Sequence, residues 1–370
     1  SVYFPDTVIP MLPEELSNEL CSLKAGNRRL VLVCEVLLNA EGDVASYHFF
    51  EAAIRSHARL IYEDVQSYYS QQHFTEKLSG QVKASLDNLY TLYGLLQKRR
   101  VDRGALDFPE NSASIELKNG SVTRINPDKR TEAHKLIEEM MILANVCAAS
   151  FLNEQRQPGL YRNHEAPDIL KLEQLRQSLT TIGVSFRKEN IGPKDMQELL
   201  ARLQENPKSG TYQQLVLRSM KQAIYSPERL GHFGLALDNY THFTSPIRRY
   251  PDLLVHRSIK QTLVAKRKKR PVDADFDWQE AGVECSENER RAESAERAVD
   301  SWLKCDFLLS RIGETLEGYI AGVTDFGLFI ELEGFFIQGL VHVTNLGQDY
   351  YKFYPNSSAL VGEASGRSFR

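Results

Sequence analysis

The period of apolar and polar positions changes several times along this chain, and each change predicts a different element. Residues 28–39 (RRLVLVCEVLLN) form a Val- and Leu-rich run that predicts a buried strand. Ala40–Asp43 supplies turn residues, and 44–55 (VASYHFFEAAIR) predicts the returning strand of a hairpin. From 56 to 100 the pattern turns helical, interrupted at Ser79-Gly80. Asn119-Gly120, between SIELK and SVTRI, predicts a second hairpin, because both residues accept the positive φ that a two-residue turn demands. In 131–152 Ala133, Ile137, Met140, Ala144, Cys147 and Phe151 recur at helical spacing, just after a break at Asn126-Pro127-Asp128. Further helices are expected near 170–182, 195–204, 211–223 and 278–310, with the basic run Lys266–Arg270 as a loop.

From about residue 314 the period shortens to two. GETLEGYIAGV, DFGLFIELE and FFIQGLVHV read as three short strands separated by glycine-containing turns, the pattern of a small barrel. A five-stranded barrel is therefore expected to be incomplete here. The change of period places a boundary near Arg311–Gly313, giving an α+β domain over 1–312 with a mixed sheet and a helical flank, then a partial barrel over 313–370.

Composition narrows this without redirecting it. With 370 residues, 42% hydrophobic and 25% charged, the chain can bury one large core and a smaller one. It holds no run of about 18 apolar residues, so no membrane span is expected. Five widely spaced cysteines without a CxxC pair argue for a reducing, cytoplasmic setting rather than a disulfide scaffold or thiolate metal site. The net charge of -4 means that any polyanion partner must meet local basic patches rather than bulk charge. The chain opens on Ser and lacks the basic start and apolar core of a signal peptide.

Residues 240–257 (YTHFTSPIRRYPDLLVHR) concentrate the chemistry. Thr244-Ser245-Pro246 leads into Arg248 and Arg249, after which Pro251-Asp252 opens a helix that carries His256 and Arg257. Guanidinium forks around a helix N-terminus make an anion site that keeps its charge at any working pH. The plain alternative is a solvated basic helix start with one structural ion pair. A metal site on His242, Asp252 and His256 is a weaker alternative, since a pair at i, i+4 is slender support. No P-loop, dinucleotide fingerprint or GxSxG elbow occurs.

HFTSPIRRYPDLLVHR resembles the signature of the ribonuclease II/ribonuclease R (RNB) family, and within it the ribonuclease R branch. SVYFPDTVIPMLPEELSNELCSL, SHARLIYEDV, HKLIEEMMILAN, RSMKQAIYSPERLGHFGLAL and an S1-type module at the end extend the likeness over essentially the whole chain. The resemblance implies 3′→5′ hydrolysis of single-stranded RNA to nucleoside 5′-monophosphates with magnesium. It implies that Arg248 contacts the scissile phosphate with Arg249 beside it, that Tyr3 and Phe108 clamp the terminal bases, and that Tyr62 helps set the end of the product. One of Glu138 and Glu139 would contact the terminal ribose, and Phe326, Phe329 and His342 would form the base-facing platform of the S1-type module.

The IDPxxAxDxDDA-like aspartate segment that holds the family's metal is absent from these 370 residues. Glu14-Glu15, Glu138-Glu139 and Asp273/Asp275/Asp277 lack its spacing. In the family that segment lies upstream of the match to Ser1, so the chain alone is expected not to cleave RNA. A non-catalytic RNA-binding protein using the barrel and the basic loop is the rival reading. A monomer, and association with RNA-decay or ribosome-associated factors, are further expectations.

Overall fold

The computed structural model describes the chain apart from residues 72–77, 109–112, 129, 181–182, 187–190, 206–208, 269–275 and 355–358. A short N-terminal pair, β1 (Val2–Tyr3) and β2 (Val8–Ile9), leads through a π-helical turn at Glu15–Leu20 into the long hairpin β3 (Arg28–Leu38) and β4 (Val44–Arg55). Helices α1 (Tyr62–Gln71) and α2 (Gly80–Arg103) follow, then the hairpin β5 (Ala113–Lys118) and β6 (Ser121–Pro127). Its turn residues Asn119 and Gly120 stand at φ 54° and 78°, the left-handed conformation for which that dipeptide is suited. Next come α3 (Glu132–Glu154), β7 (Tyr161–Asn163), α4 (Ile169–Thr180), α5 (Pro193–Gln204), α6 (Ser209–Ser219), β8 (Ile224–Ser226), α7 (Tyr250–Lys268) and α8 (Trp278–Leu309).

α3 is the axis of the first domain. By length and a mean hydropathy of 1.4 over 18 residues it would suit a membrane, yet that apolarity is spent on the core. Cys147, Ala148, Phe151 and Leu152 pack with Phe49 of β4, Phe243, and Val255 and Ile259 of α7. Phe49 meets Phe151 and Phe243 edge-on, with centroids 5.1 and 5.4 Å apart. A second cluster joins α4, α5 and α6 through Leu172, Leu175, Leu179, Met196, Leu199, Leu203 and Val216. α8 presses on β8 where Gly282 sits, and Ser286 accepts the Tyr225 N–H at 2.9 Å.

Three expectations are corrected. The sheets are small and their ladders antiparallel; parallel pairing among the described residues is confined to two isolated bridges, Ala25 with Ser56 and His164 with His232, so the mixed sheet is not formed here. The strands that would extend it are short or interrupted by helices. α7 continues through the first part of the basic run to Lys268, because no breaker precedes it; Lys269 and Arg270 lie outside the described residues. α6 ends at Ser219 rather than 223, because Ile224–Ser226 pairs with β7 and the chain must turn first.

Among the described residues the C-terminal region holds six strands, three more than the pattern predicts: β9 (Gly318–Thr324), β10 (Gly327–Leu332), β11 (Ile337–His342), β12 (Tyr351–Tyr354), β13 (Ala359–Gly362) and β14 (Ser368–Phe369). They form two three-stranded antiparallel sheets around Leu328, Tyr351 and Leu360, and among the described residues no barrel closes. The last three strands are two to four residues long, too short for an alternating pattern to register in sequence.

The α8–β8 contact yields a test. A Cβ on Gly282 would lie 2.8 Å from the Tyr225 carbonyl oxygen, a backbone atom that cannot swing aside. Helix propensity alone would make Gly282→Ala stabilising by about 1 kcal/mol. We expect the opposite sign, a loss of about 1–3 kcal/mol in a denaturant titration.

Candidate nucleic-acid site

The signature loop is built from buried polar groups upward. Asn145, 2% exposed in the middle of α3, accepts the Phe243 N–H at 2.8 Å and the Thr244 N–H at 3.2 Å on Oδ1. Its Nδ2 donates to the Tyr240 hydroxyl at 3.0 Å. His256 of α7 stacks on the Phe243 ring at 4.4 Å and bonds the Phe243 carbonyl through Nε2 at 2.8 Å. Asp252, fully buried, accepts the Ser245 N–H at 2.7 Å and pairs with Arg249 at 2.9 Å. Two helices thus grip residues 243–245 from both sides.

This separates the two arginines. Arg249 is paired with buried Asp252, the one structural ion pair that a helix start of this kind can hold. Arg248 is exposed, and its guanidinium makes no hydrogen bond or ion pair among the described residues. Its carbonyl accepts the Ser1 amine at 2.9 Å, while the Tyr3 N–H donates to Glu296 of α8 at 2.7 Å. Tyr3 and Arg248, 245 positions apart, are therefore held by one local network. Tyr3 is 46% exposed.

Phe108 packs half-buried against the α4–α6 core. Leu106, two residues earlier, donates its N–H to the Gly234 carbonyl at 2.8 Å and offers its own carbonyl to Arg100 at 3.3 Å. Arg100 also reaches Glu138 at 3.0 Å and Glu139 at 2.7 Å; Arg130 bonds Glu138, and Asp107 at 3.1 Å. Glu139 is 5% exposed. Both glutamates are thus paired with arginines, Glu139 in the interior and Glu138 nearer the surface. Sequence reading missed Arg100 and Arg130, since neither lies in a motif; the paired glutamates one helical turn into α3 were the only hint.

Tyr62 opens α1, 42% exposed, its ring stacked on His134 at 3.9 Å and 17°. In the terminal region Phe326 and Phe329 meet edge-on at 6.1 Å, and His342 stands opposite Gly327 in the β10–β11 ladder. Phe329 faces away from buried Leu328, as the alternation predicts. A Cβ on Gly327 would run into the Val341 carbonyl oxygen, so this approach needs glycine.

The described residues hold no cluster of three or more His, Cys, Asp or Glu able to bind a metal. Asp252 and His256 are committed as above, and His242 bonds the Tyr225 hydroxyl at 2.8 Å through Nδ1. Glu138 and Glu139 are neutralised by arginine, Glu14 and Glu15 are exposed, and Asp273 and Asp275 lie outside the described residues. Among the described residues these carboxylates form no ligand set that fits magnesium.

Four histidines around the loop are held neutral. Burial pushes His232 down to about 3, with His164 and Arg162 adding to the effect. Burial, then Arg249 and Arg162, holds His242 well below its ordinary value, and burial lowers His164 and His256.

The RNB domain family matches residues 1–265. Ribonuclease R of Escherichia coli (strain K12) is 43% identical over 381 residues, covering all of this chain and 47% of that protein. The chain therefore spans about half the length of the curated relatives it matches. The structure of Mycoplasma genitalium RNase R in complex with ribose-methylated single-stranded RNA superposes with a TM-score of 0.94 at 29% identity, covering all of this chain and 58% of that one. The same enzyme in complex with double-stranded RNA gives 0.87 at 28%, covering 97% and 64%.

Two outcomes follow from the loop. Asn145→Ala strands three buried partners, so we expect a loss of at least about 2 kcal/mol in denaturant unfolding, and a loss under 0.5 kcal/mol would refute the pinning. Because the four imidazoles have lowered values when folded, their stability is full above the unfolded value near 6.5 and is lost as pH falls below it. For His232, whose folded value is about 3, stability should drop by up to about 1.4 kcal/mol per pH unit between those two values. A His232→Gln variant that unfolds equally steeply from pH 7 to pH 5 would contradict the assignment of that slope to His232.

Proposed function

From a chain that belongs to the RNB domain family, we propose that these residues form the RNA-handling part of a 3′→5′ exoribonuclease acting on single-stranded RNA and releasing nucleoside 5′-monophosphates. The observation that carries this reading is the contrast between Arg248 and Arg249. One guanidinium is spent on a buried carboxylate, while its neighbour stands free on a loop fixed from α3 and α7.

Arg248 then meets the scissile phosphate and offsets the charge that develops on it. Tyr3, carried on the strand tied to the Arg248 carbonyl, stacks on a terminal base; such stacking contributes about 1–3 kcal/mol per base and tolerates any sequence. Phe108 supplies the opposing ring, held by the Arg100 anchor on Leu106. Tyr62 helps set the end of the product. Phe326, Phe329 and His342, on what we read as part of an S1-type barrel, guide RNA toward the first domain.

Hydrolysis in this reading is assisted by magnesium, for which these residues provide no ligand set, so the carboxylates come from outside the 370 residues and the chain by itself does not cleave. Arg248 and the aromatic contacts would still orient RNA, and phosphate contacts make that binding salt-sensitive. The protein works in the cytoplasm as a monomer, in company with RNA-decay or ribosome-associated factors.

The test is a cleavage assay with 5′-labelled single-stranded RNA and magnesium, run on this chain and on a version extended upstream through the aspartate segment. Only the extended protein should shorten the RNA stepwise from the 3′ end. In it, Arg248→Ala should slow cleavage at least about 100-fold with folding intact. Arg249→Ala should instead destabilise by about 3–5 kcal/mol, because Asp252 is left buried and unpaired. Digestion by the 370-residue chain, free of contaminating nuclease, would overturn the missing-carboxylate reading.

A further inference from the structure

We propose that His134 is the positioning residue for Tyr62, a backing plate against which that ring is held for RNA. The inference rests on the reading of Tyr62 as an RNA contact. The imidazole and phenol lie nearly parallel, 17° apart with centroids 3.9 Å apart, a packing closer than any other ring pair described in the molecule. Tyr62 as a residue is 42% exposed, and one face of its ring is covered by His134, which leaves room at the surface for a planar partner. A nucleobase is the planar partner a single-stranded RNA would present.

The imidazole is itself fixed. Its Nδ1 lies 2.8 Å from the Thr131 hydroxyl and accepts the Thr131 N–H at 3.4 Å, so it serves as the reciprocal partner in the capping box of α3. The next residue, Lys135, pairs with Asp107, and Glu138 one turn on is bound by Arg100 and Arg130. The first two turns of α3 therefore hold the Tyr62 ring and the segment leading to Phe108 from one surface.

The docking of α1 does not rest on His134. Gln66 accepts the Ala133 N–H at 3.2 Å, Tyr69 donates to the Leu86 carbonyl at 3.0 Å, and Tyr68 donates to Asp87 at 2.9 Å. Removing the imidazole should free the phenol without releasing the helix. That makes positioning separable from folding.

The experiment uses the upstream-extended protein and reads the length of the final product left from a long 5′-labelled single-stranded RNA, with melting temperature in parallel. Tyr62→Ala, His134→Ala and His134→Phe are compared with the parent. We expect Tyr62→Ala and His134→Ala to lengthen the final product by the same number of nucleotides, and His134→Phe, which keeps a stacking ring but loses the cap acceptor, to restore the parental length. If Tyr62→Ala lengthens the product and His134→Ala does not, the positioning role is wrong while the reading of Tyr62 stands. If His134→Ala and His134→Phe shift it equally, the cap rather than the stack matters and the inference falls. If Tyr62→Ala leaves the product unchanged, or the extended protein shortens no RNA, the reading beneath it falls as well.

Discussion

Much of this structure hangs on one buried carboxamide. Asn145 stands where α3 is otherwise apolar, and burying an amide is unfavourable unless all its capacity is used. Here Oδ1 takes two backbone N–H groups and Nδ2 reaches a buried hydroxyl. Those partners are the consecutive residues that begin the signature loop, so the site's backbone is positioned by the least compressible part of the core. An apolar residue at 145 would still pack, but nothing would choose one loop conformation over another. The specificity comes from the penalty for leaving any of the three groups unpaired.

Charge is handled by the same logic. The overall balance is slightly negative, and most acidic groups near the site are already matched. Glu138, Glu139 and Asp107 are answered by Arg100, Arg130 and Lys135, and Asp252 by Arg249. The histidines that surround the loop stay neutral because they are buried among arginines. On the signature loop itself, what is left over is the exposed guanidinium of Arg248. A bulk count of charges hides this, because selection of one cation out of many depends on which neighbours are spent.

How much of this could be read from the sequence depends on range. Asn119-Gly120, the β3–β4 hairpin and the helical period of 131–152 are local, and they fall within a residue or two of the observed elements. The six-stranded C-terminal region was only half legible, because two- to four-residue strands carry no period. Arg248 was legible as one of a pair, but which of the pair stays free is decided by Asp252 turning inward, a tertiary fact. The pairing of Glu139 with Arg100, 39 positions away, and the stack of Tyr62 on His134, 72 positions away, leave no mark in local pattern at all.

The link between the first strand and the signature loop has a mechanical consequence. The Ser1 amine grips the Arg248 carbonyl while Glu296 on a 32-residue helix grips the next turn of backbone. A base resting on Tyr3 and a phosphate resting on Arg248 would therefore sit on one hydrogen-bonded frame. Two groups that share one frame keep a fixed spacing, so a base and a phosphate placed on them would be gauged against each other rather than bound independently.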